Sequence, residues 1–291
     1  MSGFQSKALH YSAALFVVFI WSITFVSTKV LLRTLSPLEI LIYRYILAYL
    51  CFVIIDPKIE KFKGWREELK LALAGLLGVT LYFLCENYAI DYSTSSNVAL
   101  LVVISPLITG ILAHFMTKDE PLTKRFAAGC FLALTGVFLV VFNGHFILKL
   151  NPLGDLLAIT AAFVFAVYSI ILKNLDKAYS PVFITRRSFF YALLFMLPLT
   201  FSQSFRWVPA ALFKPGIFLN LVFLSAVASS VCFWLWNKVI WWFGAVKANN
   251  ILYLVPPITA VSAFIVLDER ITVFAVAGTV LVLIGVYISQ S

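Results

Sequence analysis

Arg44 stands in the middle of an apolar run, ILIYRYILA over residues 40–48, with a tyrosine on either side. Two further charges share that kind of setting. Lys29 lies toward the end of an apolar stretch that includes Trp21, and Glu86 interrupts LCENYAI as the one acid well inside such a run. A charged side chain at the centre of a membrane span costs at least about 2.5–3.5 kcal/mol, so it normally pairs or faces water. Arg44 sits about eight residues into its run, a depth of roughly 12 Å. Its guanidinium can face a wet cavity and hold a carboxylate, or it can snorkel to the outer headgroups. Lys29, one turn from Arg33, has two readings of the same kind: a substrate ligand, or an anchor for its helix end. An ion pair between Glu86 and either cation would offset the cost of both charges. If the pair is permanent it is a structural staple. If a solute's ammonium or carboxylate can displace one partner, or Glu86 can take up a proton, it becomes a coupling device. His114, near the inner end of another run, is a second candidate proton carrier, against the plainer reading of an interfacial histidine.

Catalytic chemistry finds no support in the spacing. The three histidines, His10, His114 and His145, are remote from one another and none lies in an H-E-x-x-H arrangement. There is no Walker motif for ATP. Cys51, Cys85, Cys130 and Cys232 fall inside apolar runs at spacings that suit neither a zinc site nor a disulfide framework, and read as small buried apolar residues. No enzyme, cofactor or metal is therefore expected. A channel, with a filter of carbonyls or a ring of charges from several subunits, is the other competing class, and single-channel currents would separate it from a carrier.

What must position these residues is a set of membrane spans. The chain has 291 residues, 62% hydrophobic and 12% charged, with a mean hydropathy of +1.00. A soluble domain carries about 25% charged residues. Runs of about 20 apolar residues, the length of a spanning helix, fall at 11–32, 36–55, 69–89, 94–116, 124–142, 153–172, 181–201, 216–237, 247–267 and 271–289. The runs are continuous rather than alternating, which excludes a β-barrel. The first is too long for a signal-peptide core and is followed by Arg33 and Thr34 rather than a cleavage site, so it reads as retained. The gaps leave no room for a separate soluble domain.

The net charge of +9 is orientation, not a nucleic-acid footprint. With both termini cytoplasmic, 15 of the 22 basic residues fall on the inner side: Lys7, Lys58, Lys61, Lys63, Arg66, Lys70, Lys118, Lys124, Arg125, Lys173, Lys177, Arg186, Arg187, Lys238 and Lys247. An inner (plasma) membrane location with both ends inside follows.

The chain also repeats itself. At an offset of 150, Asn87 matches Asn237, Pro106 matches Pro256, and Ile108-Thr109 match Ile258-Thr259. At 149, Asp119-Glu120 match Asp268-Glu269, Thr123 matches Thr272, Gly129 matches Gly278 and Gly136 matches Gly285. At 144, Ser36-Pro37 match Ser180-Pro181, and Lys29 matches Lys173. Two copies of a five-span unit, 1–146 and 147–291, are expected. Because five is odd, successive copies cross the bilayer in opposite senses, the inverted-repeat plan of secondary transporters with a site near the midplane.

These motifs carry a resemblance. The pattern N-Y-A-I-D-Y-S-T-S-S-N…S-P, then D-E-P-L-T and G-x6-G, resembles the EamA-type repeat of the drug/metabolite transporter superfamily. The second half, G-A-V-K-A-N-N-I-L-Y-L-V-P-P-I-T-A followed by L-D-E-R-I-T, looks still more like it. The resemblance covers nearly the whole chain. It implies an all-α integral membrane protein of ten transmembrane helices in two inverted five-helix repeats, with an aqueous cavity between them and alternating access. Helices three, four, one and two of each half would line the cavity, with the fifth and tenth outside. Many members resemble exporters of amino acids or related metabolites. Others carry nucleotide sugars, sugar phosphates or quaternary amines, by uptake, exchange or facilitated diffusion.

On that plan Pro106, Pro256 and Pro257 break helices mid-span and are candidate hinges of moving gates. The four glycines Gly129, Gly136, Gly278 and Gly285 suit close helix packing. Trp21, Tyr43, Tyr82, Tyr88, Tyr168, Trp234 and Tyr253 fall in cavity-lining spans, where a ring can stack on a solute or hold a cation. Each is also explained by packing. The expected function is secondary transport of a small polar metabolite, best an amino acid leaving the cell against protons. Its substrate-binding candidates are Arg44, Lys29, Glu86, Trp21, Tyr82, Asn97, Tyr168, Trp234, Asn249 and Tyr253, with Glu86 and His114 for proton coupling. The partners are the solute, the bilayer and protons, and the carrier is a monomer or homodimer.

Overall fold

The computed structural model describes residues 3–57, 64–93, 95–117, 119–142, 151–175, 179–202, 205–206, 212–267 and 272–290, and among them every regular element is helical. Of the residues read above, Lys58, Lys61, Lys63, Lys118, His145, Lys177, Asp268 and Glu269 lie outside the described residues.

In the first half of the chain α1 is Gly3–Leu31 and α2 is Pro37–Ile55. The third rod is continuous but composite: α3 (Trp65–Gly75), a π-helical segment (Leu76–Leu81) and α4 (Tyr82–Tyr92). The fourth is α5 (Ser95–Val102) and α6 (Ser105–Met116), and the fifth is α7 (Lys124–Phe142). The second half follows the same order with α8 (Pro152–Lys173) and α9 (Pro181–Met196). Its third rod is α10 (Pro215–Val222), a π-helical segment (Phe223–Val231) and α11 (Cys232–Phe243). Its fourth is α12 (Ala245–Asn250), a 3₁₀ turn (Ile251–Leu254) and α13 (Val255–Leu267), and α14 (Val273–Gln290) closes the chain.

Among the described residues nine rods are long and apolar enough to cross a membrane. The tenth expected run, 247–267, is divided among α12, the 3₁₀ turn and α13. Several rods outrun their apolar cores, with Trp65–Tyr92 where 69–89 is expected and Pro215–Phe243 where 216–237 is expected. Backbone hydrogen bonding carries a helix past the point where hydropathy falls, so composition finds the core of a span better than its ends.

The matched sequence motifs do matched mechanical work. Ser36 caps α2 in a capping box, its hydroxyl accepting from Glu39 N at 3.2 Å while its own N–H donates to Glu39 Oε2 at 2.8 Å. Ser180 caps α9 through Phe183 N at 3.1 Å, and a proline follows each cap, where its missing N–H costs nothing. Asn87 and Asn237 tie the third rod of each half to the start of that half's second helix, through Pro37 O at 3.1 Å and Thr185 Oγ1 at 2.7 Å. Pro106 lies in the first turn of α6, just after the break at residues 103–104, and Pro256 and Pro257 open α13 after the 3₁₀ turn. Each rod breaks just before its proline because the ring removes a hydrogen bond and collides with the preceding turn.

The two halves interlock through reciprocal contacts. Thr80, in the first π-helical segment, donates to Ala192 O of α9 at 3.2 Å, and its match Ser230 donates to Ala48 O of α2 at 3.3 Å. Trp21 of α1 donates from Nε1 to Ala228 O in the second π-helical segment at 3.0 Å. Tyr168 of α8 covers the matched Gly78, where a Cβ would lie 2.3 Å from its ring. The helices α7 and α14 pair just as closely. A Cβ on Gly136 would stand 2.5 Å from Gly278 O, and one on Gly129 would stand 2.6 Å from Gly285 O. The pairings 129 with 285 and 136 with 278 show that α7 and α14 run antiparallel, held backbone to backbone.

Candidate functional site

A cavity of about 40 Å³ is lined from the first half by Trp21 and Phe25 of α1, Arg44 of α2 and Glu86 of α4, and from the second by Phe165 and Phe233 among others. By volume it holds a few water molecules. Tyr82, Phe83 and, at the break in the fourth rod, Val102, Val103 and Ser105 complete much of the wall.

Arg44 is turned fully inward, 1% exposed. Its Nε donates to Ser229 Oγ of the second π-helical segment at 2.6 Å, and the guanidinium lies 4.2 Å above the ring of Phe83 and 5.5 Å from that of Tyr45. Aromatic faces make such a desolvated cation tolerable. Among the described residues its Nη2 has no hydrogen-bond partner. A buried donor left in that condition carries a desolvation cost. The snorkelling alternative does not describe this side chain.

Glu86 is 5% exposed and accepts from Tyr82 Oη at 2.9 Å. Its expected ion pair is absent: none of the ion pairs among the described residues, all within 4.0 Å, includes Glu86, Arg44 or Lys29. The physical reason is competition. Arg44 is drawn across to Ser229 and Phe83, while Lys29 Nζ donates to Ile90 O at 2.6 Å and Ser93 O at 3.0 Å. Lys29 thus satisfies carbonyls at the end of α4, where the helix dipole favours a cation, and it does not line the cavity.

The other candidates divide. Trp21 and Tyr82 line the cavity; Tyr168, Trp234, Asn97, Asn249 and Tyr253 do not. Tyr168 meets Asn237 Oδ1 at 3.5 Å, and Trp234 has Lys238 Nζ 3.9 Å over its ring. Asn97 bonds Asp155 Oδ1 at 2.7 Å and Ser93 Oγ at 3.1 Å, joining α5 to α8 and to the end of α4. Asn249 bonds Ala245 O within its own helix at 2.9 Å, and Tyr253 is fully buried. His114 is at the surface, its Nδ1 accepting from Leu122 N at 3.2 Å. Sequence reasoning missed Phe83, Phe165, Phe233 and Ser229. The match of Phe83 with Phe233 at an offset of 150 was a usable signal. Ser229 offered none, being one serine among several in FLSAVASSV.

Comparison with known proteins gives a consistent picture. The profile described as "EamA-like transporter family" matches residues 9–142 and again 152–290. A protein of Archaeoglobus fulgidus named "Uncharacterized transporter" is 28% identical over 282 residues, 94% of each chain. A "Probable amino-acid metabolite efflux pump" of Escherichia coli K12 is 26% identical over 290 residues, 95% of this chain and 93% of that one. A "Probable terminal-alkyne amino-acid exporter" of Streptantibioticus cattleyicolor is 26% identical over 224 residues, 76% and 72% of the two chains. A crystal structure with 15% identity superposes over 97% of both chains with a TM-score of 0.74, a likeness of fold.

Proposed function

Because the chain belongs to the EamA-like transporter family, we propose that this multi-pass membrane transporter exports a zwitterionic metabolite, an amino acid or close relative, by alternating access coupled to protons. The carrying observation is that Arg44 and Glu86 line one cavity with no ion pair between them, and that Arg44 Nη2 is buried without a hydrogen-bond partner among the described residues. A zwitterion supplies both missing partners at once: its carboxylate to the guanidinium, its ammonium to Glu86. Charge-assisted bonds of this kind are strong and directional. Lys29 leaves the proposed set because its ammonium already serves the end of α4.

Glu86 has two exclusive uses, holding the ammonium or holding a proton, and exchange between them couples the two fluxes. The Tyr82 hydroxyl fixes which carboxylate oxygen remains available. The names of the efflux relatives support export of amino-acid metabolites. Two inverted units, 1–146 and 147–291, belong to the same proposal and are supported by the reciprocal contacts and the antiparallel α7–α14 pair. The bias of basic residues supports placing both termini in the cytoplasm. A cavity sized for a few waters is too small for an amino acid, so binding requires the lining rods to part, and the breaks before Pro106 and Pro256 are the proposed hinges.

The test is flux of a labelled amino-acid panel in proteoliposomes, with and without an imposed proton gradient. At least one zwitterion should move, faster with the gradient, and Arg44→Gln should abolish the flux while the protein remains monodisperse. Flux indifferent to the gradient removes proton coupling. Transport of anions but of no zwitterion removes the substrate class.

A further inference from the structure

A second cluster of charges joins the halves at the other end of α8 from the Lys29 contacts. Lys173, the last residue of α8, pairs with Asp119 at 2.6 Å and with Glu120 at 2.8 Å. Both acids belong to the turn between α6 and α7 in the first half. The other oxygen of Glu120, Oε1, accepts from Val246 N at 3.2 Å in the first turn of α12. Gly244, at φ +82, makes the approach possible: a Cβ there would lie 2.2 Å from Glu120 Oε1. The Lys173 and Glu120 side chains are only 13% and 12% exposed, whereas Asp119 is 72% exposed.

This cluster borders a recess of about 900 Å³, whose wall also carries Lys124, Arg125 and Lys247. Among the described residues, none lines both this recess and the Arg44 cavity. Beside the cluster is a small apolar contact in which Ala113 of α6 meets Ile170 of α8 and Ala245 of α12, with Leu112 and Val246 packed on it. One side of that contact belongs to the first half and the other to the second. Charges and plug therefore hold the same two halves together at the same place.

We propose that Glu120 and Lys173 form a latch that keeps the Arg44 cavity shut from this face, and that the latch opens once in each transport cycle. Removing one partner of a nearly buried pair strands the other, which is what makes such a pair a two-position device. The matched lysine of the first half is in the other condition. Lys29 donates to carbonyls of its own half, at Ile90 and Ser93, while Lys173 reaches across. Two equivalent lysines in unlike partnerships are the asymmetry an alternating carrier requires. The latch rests on the alternating-access reading and on no particular substrate.

The experiment therefore uses no substrate. Ser105 lines the cavity and is 1% exposed. The Ser105→Cys protein is placed in right-side-out and inside-out vesicles and treated with a membrane-impermeant maleimide. Labelling at that position is followed by peptide mass spectrometry, so that the native cysteines do not interfere. Glu120→Gln and Lys173→Met should each speed labelling from the recess face by at least about tenfold, because loss of one partner of a largely buried pair strands the other. Asp119→Asn, which alters only the exposed partner, should leave the rate unchanged. Glu120→Gln is close in shape to the parent and carries the test if Lys173→Met fails to fold. Rates equal to the parent's, acceleration from the opposite face, or equal acceleration by Asp119→Asn would each overturn the latch. A failed amino-acid panel with accelerated labelling would overturn the substrate and leave the latch standing.

Discussion

At the scale of single residues, the deciding feature is how Arg44 is held. Ser229 fixes Nε at 2.6 Å and the Phe83 ring supports the guanidinium at 4.2 Å, which holds Arg44 in the cavity wall with its Nη2 buried and unpartnered among the described residues. Ser229 is a positioning residue on this view. Ser229→Ala should weaken apparent substrate affinity on the order of tenfold, the worth of one hydrogen bond to a charged group, with little change in maximal flux. Ser229→Thr should restore it, because a hydroxyl returns. Equal loss in both variants would assign the effect to packing in the π-helical segment instead. Arg44 and Glu86 stood out because charge in hydrocarbon demands a reason, whereas Trp21 and Tyr82 were named only from the spans that the family resemblance places at a cavity. The sequence left Lys29 between a substrate ligand and a helix anchor, because composition does not show which carbonyls of another helix come within 3.0 Å of it.

At the scale of elements, the paired Ser-Pro motifs were legible and the π-helical segments were not. Ser-Pro announces a helix start in both halves, since the cap and the missing N–H are local properties. A π-helical turn has no such signature in LLGVTL or FLSAVASSV. It is kept where it is by partners elsewhere, as Trp21 keeps Ala228 and Tyr168 covers Gly78. The paired glycines of α7 and α14 allow a sharper expectation. A Cβ at Gly136 would meet Gly278 O at 2.5 Å and Val282 N at 2.6 Å, both backbone atoms that cannot swing aside. Gly136→Ala should therefore cost about 1–3 kcal/mol through overpacking, read as a lowered midpoint of thermal unfolding. Flux per folded molecule should persist, since neither helix lines the Arg44 cavity. An unchanged midpoint would show that the two helices separate readily.

At the scale of the whole molecule, the prediction concerns threading. Asn174 follows α8 and Thr34 follows α1, and both are exposed. Inverted halves place them on opposite faces, so an impermeant maleimide should label Thr34→Cys from outside the cell and Asn174→Cys only from inside. Labelling of both from one face would end the inverted plan. What the chain alone determined is what composition can carry: a helical membrane protein, the approximate spans and the helix starts, while the internal matches support the proposal of two inverted units. Those properties are local or repeat at a constant offset. The tertiary structure decided the partnerships. Arg44 answers to a serine 185 residues away, Glu86 to a tyrosine one turn before it, and Lys173 to acids 54 and 53 residues earlier in the other half. Electrostatic and hydrogen-bond choices of this kind depend on distances of a few tenths of an ångström between separate helices, and only packing sets those distances.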